Sequence, residues 1–216
     1  MSRNNLGYGA RISRAILMAA LPTLAAGLAV SSPVIAQAGF SEGYKFLEAV
    51  KKKDGAKVEE ALLDPSSQII NSRDVTTGET ALHIVTARRD LTWLNYLVSH
   101  GANVNAADDH GRTPLEMAVN LGWREGAEFL LEQKASPDPS NDAGETPLIY
   151  AVHRKDLQLV KALLQAGADP NRADNSGRSA RDYAALDSKT GPMTSVLDEY
   201  AAKNKKKAQA VYGPVM

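Results

Sequence analysis

Apolar positions in this chain come in short helical blocks divided by polar, turn-forming stretches. Leu157, Val160, Leu163 and Leu164 fall at the spacing that puts side chains on one face of a helix. A shorter helix is predicted ahead of such a block, with small apolar residues such as Leu82 and Ala87 along one side. Hydroxyls stand at the starts of the shorter helices, at Thr80, Thr113, Thr146 and Ser179. A side-chain oxygen there can bond amides that lack an intrahelical partner. Pro114 and Pro147 come next in two cases, each a ring with no amide to lose. Thr113 and Glu116 also fit a capping box, in which each side chain bonds the other's backbone amide. Gly101 and Gly167 follow the longer helices, where a left-handed residue is needed after the last turn. The stretch ADPNRADNSG, residues 168–177, is too polar and too rich in turn formers for a core strand, and it predicts a protruding hairpin loop.

This arrangement recurs. Gly78, Gly111, Gly144 and Gly177 are spaced 33 residues apart, each two residues ahead of one of the four hydroxyls. TALH, TPLE and TPLI follow the first three glycines, and the fourth unit decays to SARD. A second phrase is shared as well: LVSHGANVNAADDHG, LLEQKASPDPSNDAG and LLQAGADPNRADNSG. A fixed period of this length marks a tandem array in which neighbouring units bury each other's helix faces. The Thr-Pro phrase is thereby scaffolding and implies no catalysis.

The phrases G-x-T-P-L-H near the start and G-A-D-x-N near the end of each unit resemble the ankyrin repeat. That resemblance implies an all-α solenoid of stacked helix-turn-helix units with protruding hairpin loops. Three regular units are expected at 75–107, 108–140 and 141–173 plus the loop that follows. A degenerate capping unit is expected at 39–74, a polar-faced capping unit at 178–202 and a basic flexible tail at 203–216. Terminal units are atypical because each exposes a face that has no neighbour. Three residues depart from the family pattern. Lys134 stands where a C-terminal glycine is usual, and Arg124 and Gly126 stand at second-helix apolar positions. The unit 108–140 is therefore expected to be the least regular, with Pro137 and Pro139 stiffening its loop.

The beginning of the chain reads differently. Arg3, Arg11 and Arg14 precede an uncharged run, Ala15 to Val30, and Ala36 and Ala38 form an A-x-A arrangement. This is the pattern of a secretory signal peptide cleaved after Ala38, which places the mature protein in the periplasm. The alternative is an uncleaved membrane anchor, since the run is close to the spanning minimum of ~17 residues. Lys+Arg and Asp+Glu both number 25. Removing residues 1–38 takes three arginines and no acids, leaving 22 bases against 25 acids and a net charge of −3. An exported bacterial member of the family is expected. Aromatic residues make up only 6%, so the core must be built from Leu, Ala and Val. Cysteine is absent, which excludes disulfides and cysteine metal clusters.

Catalytic constellations are missing from the sequence. His83, His100, His110 and His153 form no metal-ligand pair, and neither G-x-S-x-G nor a phosphate-binding glycine loop is present. His83 occupies the family's structural histidine position, which implies bonds to backbone and hydroxyl groups. Residues 138–145 lack the glycine and glutamate placement of a calcium loop. No enzyme, cofactor or metal is expected. The acidic mature charge argues against nucleic acid. Lys203 to Lys207 read as a solvated terminus, not a lipid-binding patch.

The resemblance implies instead a protein-binding module, acting as a monomer on an unknown partner in the cell envelope. The alternative is a membrane-anchored envelope regulator or carrier. Contact positions implied by family geometry flank the repeat glycines: Thr77 and Glu79, His110 and Arg112, Ala143 and Glu145, Ser176 and Arg178. Arg88, Asn120, His153 and Arg154 add the ends of the first helices. Trp93 follows the second-helix core pattern and is expected to be buried. Trp123, at the turn between helices, is the candidate exposed anchor.

Overall fold

A computed structural model of the protein describes residues 41–64, 68–186 and 191–212. The expected signal peptide, its expected cleavage after Ala38 and the apolar run from Ala15 to Val30 lie outside the described residues. Among those described are ten α-helices: α1 (Glu42–Lys51), α2 (Gly55–Ala61), α3 (Ala81–Ala87), α4 (Leu91–Ser99), α5 (Pro114–Asn120), α6 (Arg124–Glu132), α7 (Pro147–His153), α8 (Leu157–Gln165), α9 (Ala180–Leu186) and α10 (Gly191–Tyr212). A 3-10 turn lies at Ile69–Asn71.

One unit shows why the sequence folds this way. Thr146 is extended, and its Oγ1 accepts from Ile149 N at 3.3 Å, while Pro147 begins α7. Lys155 then turns the chain with a left-handed backbone, φ 57°. Asp156 caps the second helix by accepting from Leu159 N at 3.1 Å. After α8, Gly167 at φ 102° ends the unit. Asp54 and Asp90 cap α2 and α4 in the same manner.

The first helices α1, α3, α5, α7 and α9 pack consecutively in one row, and α4, α6, α8 and α10 pack in a second. Leu82, Leu115 and Leu148 occupy equivalent buried sites along the first row. Leu97, Leu130 and Leu163 do the same along the second. Full burial of such a side chain contributes about 1.5–3 kcal/mol, and here that burial depends on the neighbouring unit. The result is the stacked helical architecture expected from the repeat.

Two sequence expectations are corrected. The unit 108–140 is not irregular in its helices: α5 and α6 have 7 and 9 residues, as do α3 and α4, and α7 and α8. Lys134 takes up the left-handed conformation itself, φ 67°, and Trp123 fills the space above Gly126. The looser closure falls in the tip that follows, at the start of the next unit, where Asn141 N donates to Glu145 O at 3.3 Å; the other tips close at 2.8–2.9 Å. Second, residues 203–212 are not a separate tail, because α10 continues to Tyr212.

Candidate partner-binding face

The hairpin tips are joined to each other by backbone hydrogen bonds that repeat with the units. Asp109 N donates to Thr77 O at 3.0 Å, Asp142 N to His110 O at 3.2 Å, and Asn175 N to Ala143 O at 3.0 Å. Each tip is also closed on itself by an aspartate or asparagine. Asn141 Oδ1 accepts from Ala143 N and Glu145 N, both at 3.0 Å. Asp174 Oδ1 accepts from Ser176 N at 2.8 Å and from Arg178 N at 3.1 Å. The tips thus form a continuous ladder whose backbone is fixed by its amides and its Asp and Asn side chains, while Thr77, His110, Ala143 and Ser176 face solvent.

The structure sorts the expected contact residues into two groups. Thr77, His110, Ala143, Ser176 and Arg178 are exposed on the tips, and Glu79 and Glu145 are half-buried beside them. Asn120 and His153 are exposed at the ends of α5 and α7. The His153 ring stands edge-on to Tyr183 at 4.5 Å, and the Arg178 guanidinium lies 6.0 Å over the same ring. Three arginines are committed to the scaffold. Arg88 Nη1 donates to Val50 O at 2.6 Å, and Arg154 Nη1 donates to Asn120 O at 2.9 Å. Each thereby bonds a carbonyl in the last turn of the preceding first helix, where intrahelical partners run out. Arg112 grips the buried Asp108 carboxylate through Nε at 2.8 Å and Nη2 at 2.7 Å. Burial works against ionisation of Asp108, but the Arg112 bonds outweigh it and hold the carboxyl below its usual range.

Comparison with known proteins agrees with this geometry. A family model described as ankyrin repeats in three copies matches residues 46–141, and another described as ankyrin repeats in many copies matches residues 130–184. The chain belongs to the ankyrin repeat family. A putative ankyrin repeat protein of fowlpox virus (strain NVSL) is 41% identical over 58 residues, covering 27% of this chain and 17% of the relative. Human diacylglycerol kinase iota is 34% identical over 82 residues, covering 38% of this chain and 8% of the kinase. Oxysterol-binding protein homolog 2 of Saccharomyces cerevisiae is 30% identical over 76 residues, covering 34% and 6%. The chain thus matches less than a fifth of the length of these relatives. Ankyrin repeats are in general protein–protein interaction modules without catalytic activity.

As an ankyrin array the chain has features that sequence reading missed. Ile84, Met117, Tyr150 and Tyr183 recur every 33 residues, one on each of α3, α5, α7 and α9, and all are half-buried. They line the face beside the tips with bulky side chains, so that face is less polar than the expected contact set implied. Their common period was visible in the sequence; the direction of the side chains was not. Tyr150 Oη donates to Glu145 Oε2 at 2.8 Å, and burial together with that carboxylate pushes the phenol up to about 12.

Of the two tryptophans, Trp123 departs from expectation. Trp123 is only 7% exposed; Gly126 leaves room for its ring in the core. Trp93 is half-buried on α4, packed against the core and edge-on to Tyr96 at 5.9 Å. Trp123 is therefore not an anchor on this face.

The repeat histidine also departs from one unit to the next. His83 behaves as implied: Thr80 N donates to Nδ1 at 3.1 Å, and Nε2 lies 2.9 Å from Arg112 O in the following unit. Since Nδ1 must accept, Nε2 carries the proton and donates. In the next unit the same position is Glu116. Its amide donates to Thr113 Oγ1 at 3.3 Å, but its carboxyl does not return the bond. The expected capping box is half formed.

Among the described residues, no three His, Cys, Asp or Glu side chains gather as a metal site. No described helix is long and apolar enough to cross a membrane.

Proposed function

We propose that this chain is an exported, non-catalytic binding module that holds a partner protein of the cell envelope on its tips and first helices. The observation that carries the reading is the tip ladder, in which Thr77, His110 and Ala143 lend their carbonyls to the next tip while their side chains face outward. A surface fixed in this way can bind with little ordering cost at its backbone. Export rests on the basic, apolar and A-x-A succession of residues 1–38.

Replacement of His110, His153 and Arg178 by Glu tests the face. These side chains are exposed and none bonds a neighbouring carbonyl, unlike Arg88 and Arg154. Photo-crosslinking from Thr77, His110 and Ser176 in cells is expected to trap one envelope protein, and the triple replacement is expected to abolish the trapping. Equal trapping from the α6 surface, at Glu125 or Glu128, rules the face out. Sequencing the N-terminus of the protein recovered from cells tests export. A start at Gly39 supports the periplasmic form, and an intact leader puts the anchored regulator or carrier in its place.

A further inference from the structure

Glu116 is 1% exposed, and neither carboxyl oxygen has a hydrogen-bond partner. Its counterparts in two other units are both satisfied. His83 bonds back to Thr80 and across to Arg112, and Asp182 Oδ2 accepts from Ser179 N at 2.8 Å and Oγ at 2.6 Å. Glu116 does neither, although it sits at the same place in the stack.

The groups around it are already paired with one another. On its own unit, Arg112 is bound to Asp108. From α3, the His83 ring is spent on the Arg112 carbonyl. From the following tip, Asn141 Nδ2 donates to Glu145 Oε2 and to Tyr150 Oη, both at 3.2 Å. From α7, Tyr150 donates to Glu145. An ionised Glu116 would therefore lie among two other carboxylates, Asp108 and Glu145, with a single cation that is already taken. Burying an unpaired charge is strongly unfavourable, and a group so placed stays neutral or the structure opens to admit water. On its α3 side, Glu116 borders a cavity of about 200 Å³ together with Ala87, Arg112, Met117, Asn120 and Leu121.

We propose that Glu116 is a proton-controlled latch between the second and third regular repeats: its acid form keeps α5, α7 and their tips closed, and its ionisation loosens that joint. Burial pushes its carboxyl up to about 7, against the opposing pull of the nearby Asn141 amide, whose bonds go to Glu145 and Tyr150 instead, and of the Arg112 charge. The unfolded chain releases this proton near the ordinary value of 4.5. Stability from the protonated group is thus fully present below pH 4.5, falls as the pH rises to 7, and is level above. Any effect on binding rests on the face proposed above; the latch itself does not.

The test compares the full chain with Glu116→Gln, which keeps the shape but cannot ionise, and with Glu116→His, which restores the residue type of the preceding unit. Thermal unfolding is followed from pH 4.5 to 8.5, with amide exchange across 113–121 and 141–153. The Glu116→Gln variant should match the wild type in Tm at the acid end and exceed it by a widening margin that stops growing above neutrality. Wild-type exchange in those two segments should accelerate beyond the intrinsic pH effect, and the Gln variant should not follow it. The His variant, should it fold, must likewise lack the wild type's fall in Tm between pH 4.5 and neutrality. A constant offset between wild type and Gln, or a Glu116 carboxyl carbon whose NMR shift titrates near 4.5, overturns the proposal. No readout involves a partner, so failure here is distinct from failure of the binding face.

Discussion

The ring of Trp123 lies over Gly126, and a β-carbon on that glycine would overlap ring atoms Cε3, Cζ3 and Cδ2. A glycine that looks like a defect inside α6 is thereby the seat of a buried aromatic residue. Gly126→Ala gains about 1 kcal/mol in helix propensity, but the overlap costs about 1–3 kcal/mol. The expected outcome is a net loss of about 1 kcal/mol in urea unfolding. Trp123→Ala alone is expected to cost about 3 kcal/mol. In that background, with the ring gone, Gly126→Ala should become stabilising. A cycle in which the alanine at 126 has the same sign in both backgrounds refutes the pairing.

Lys134 predicts the opposite response to the insertion of a glycine. It is exposed and holds φ 67° where the other units have Gly101 and Gly167. A left-handed backbone costs a residue with a β-carbon about 1–2 kcal/mol, and the wider freedom of glycine in the unfolded chain offsets part of the relief. Lys134→Gly is expected to stabilise the protein by about 0.5–1 kcal/mol, read as a higher urea midpoint with an unchanged slope.

The arginines at the ends of the first helices separate scaffold from surface. Arg154→Ala removes the bond to Asn120 O and is expected to cost about 0.5–1 kcal/mol. His110→Glu, His153→Glu and Arg178→Glu touch no such bond and should each fall within about 0.5 kcal/mol of wild type. Denaturation curves of the four variants check this. If Arg154→Ala proves neutral while the tip variants unfold the chain, the assignment of roles is reversed.

The period of 33 made the helix pairs, their caps and their order legible, because capping and helical spacing are local and repeat with each unit. The role of His83 came from the family resemblance alone, since the period places Glu116, Ile149 and Asp182 at its counterparts. The burial of Trp123 was not legible. Whether Trp123 points into the core depends on Gly126, an absence of side chain that sequence reading counted as a fault. Glu116 was misread because the S/T-x-x-E pattern describes what a carboxylate can reach when it is in water, and the stacking of the next unit removes that water. The tip ladder was hidden because it is made of backbone groups, which any residue supplies.

His83 gives the last prediction, with a pH dependence opposite in sign to that of Glu116. Burial lowers its pKa from 6.5, and the bond to the Arg112 carbonyl only partly offsets this. Protonating Nδ1 would also set it against the Thr80 amide, which now donates to it at 3.1 Å. The unfolded chain therefore takes up this proton more readily than the folded one. The neutral ring contributes its full stability above pH 6.5, and that contribution is lost as the pH falls through 6.5 toward the depressed folded value. His83→Leu keeps the bulk but leaves the Thr80 amide and the Arg112 carbonyl without partners, at a cost of about 2 kcal/mol at pH 8. The gap between wild type and this variant should narrow steadily as the solution is acidified from pH 6.5, in denaturation series at fixed salt. A gap that widens in acid means that the imidazolium is the bound form, and the tautomer drawn from Thr80 is wrong.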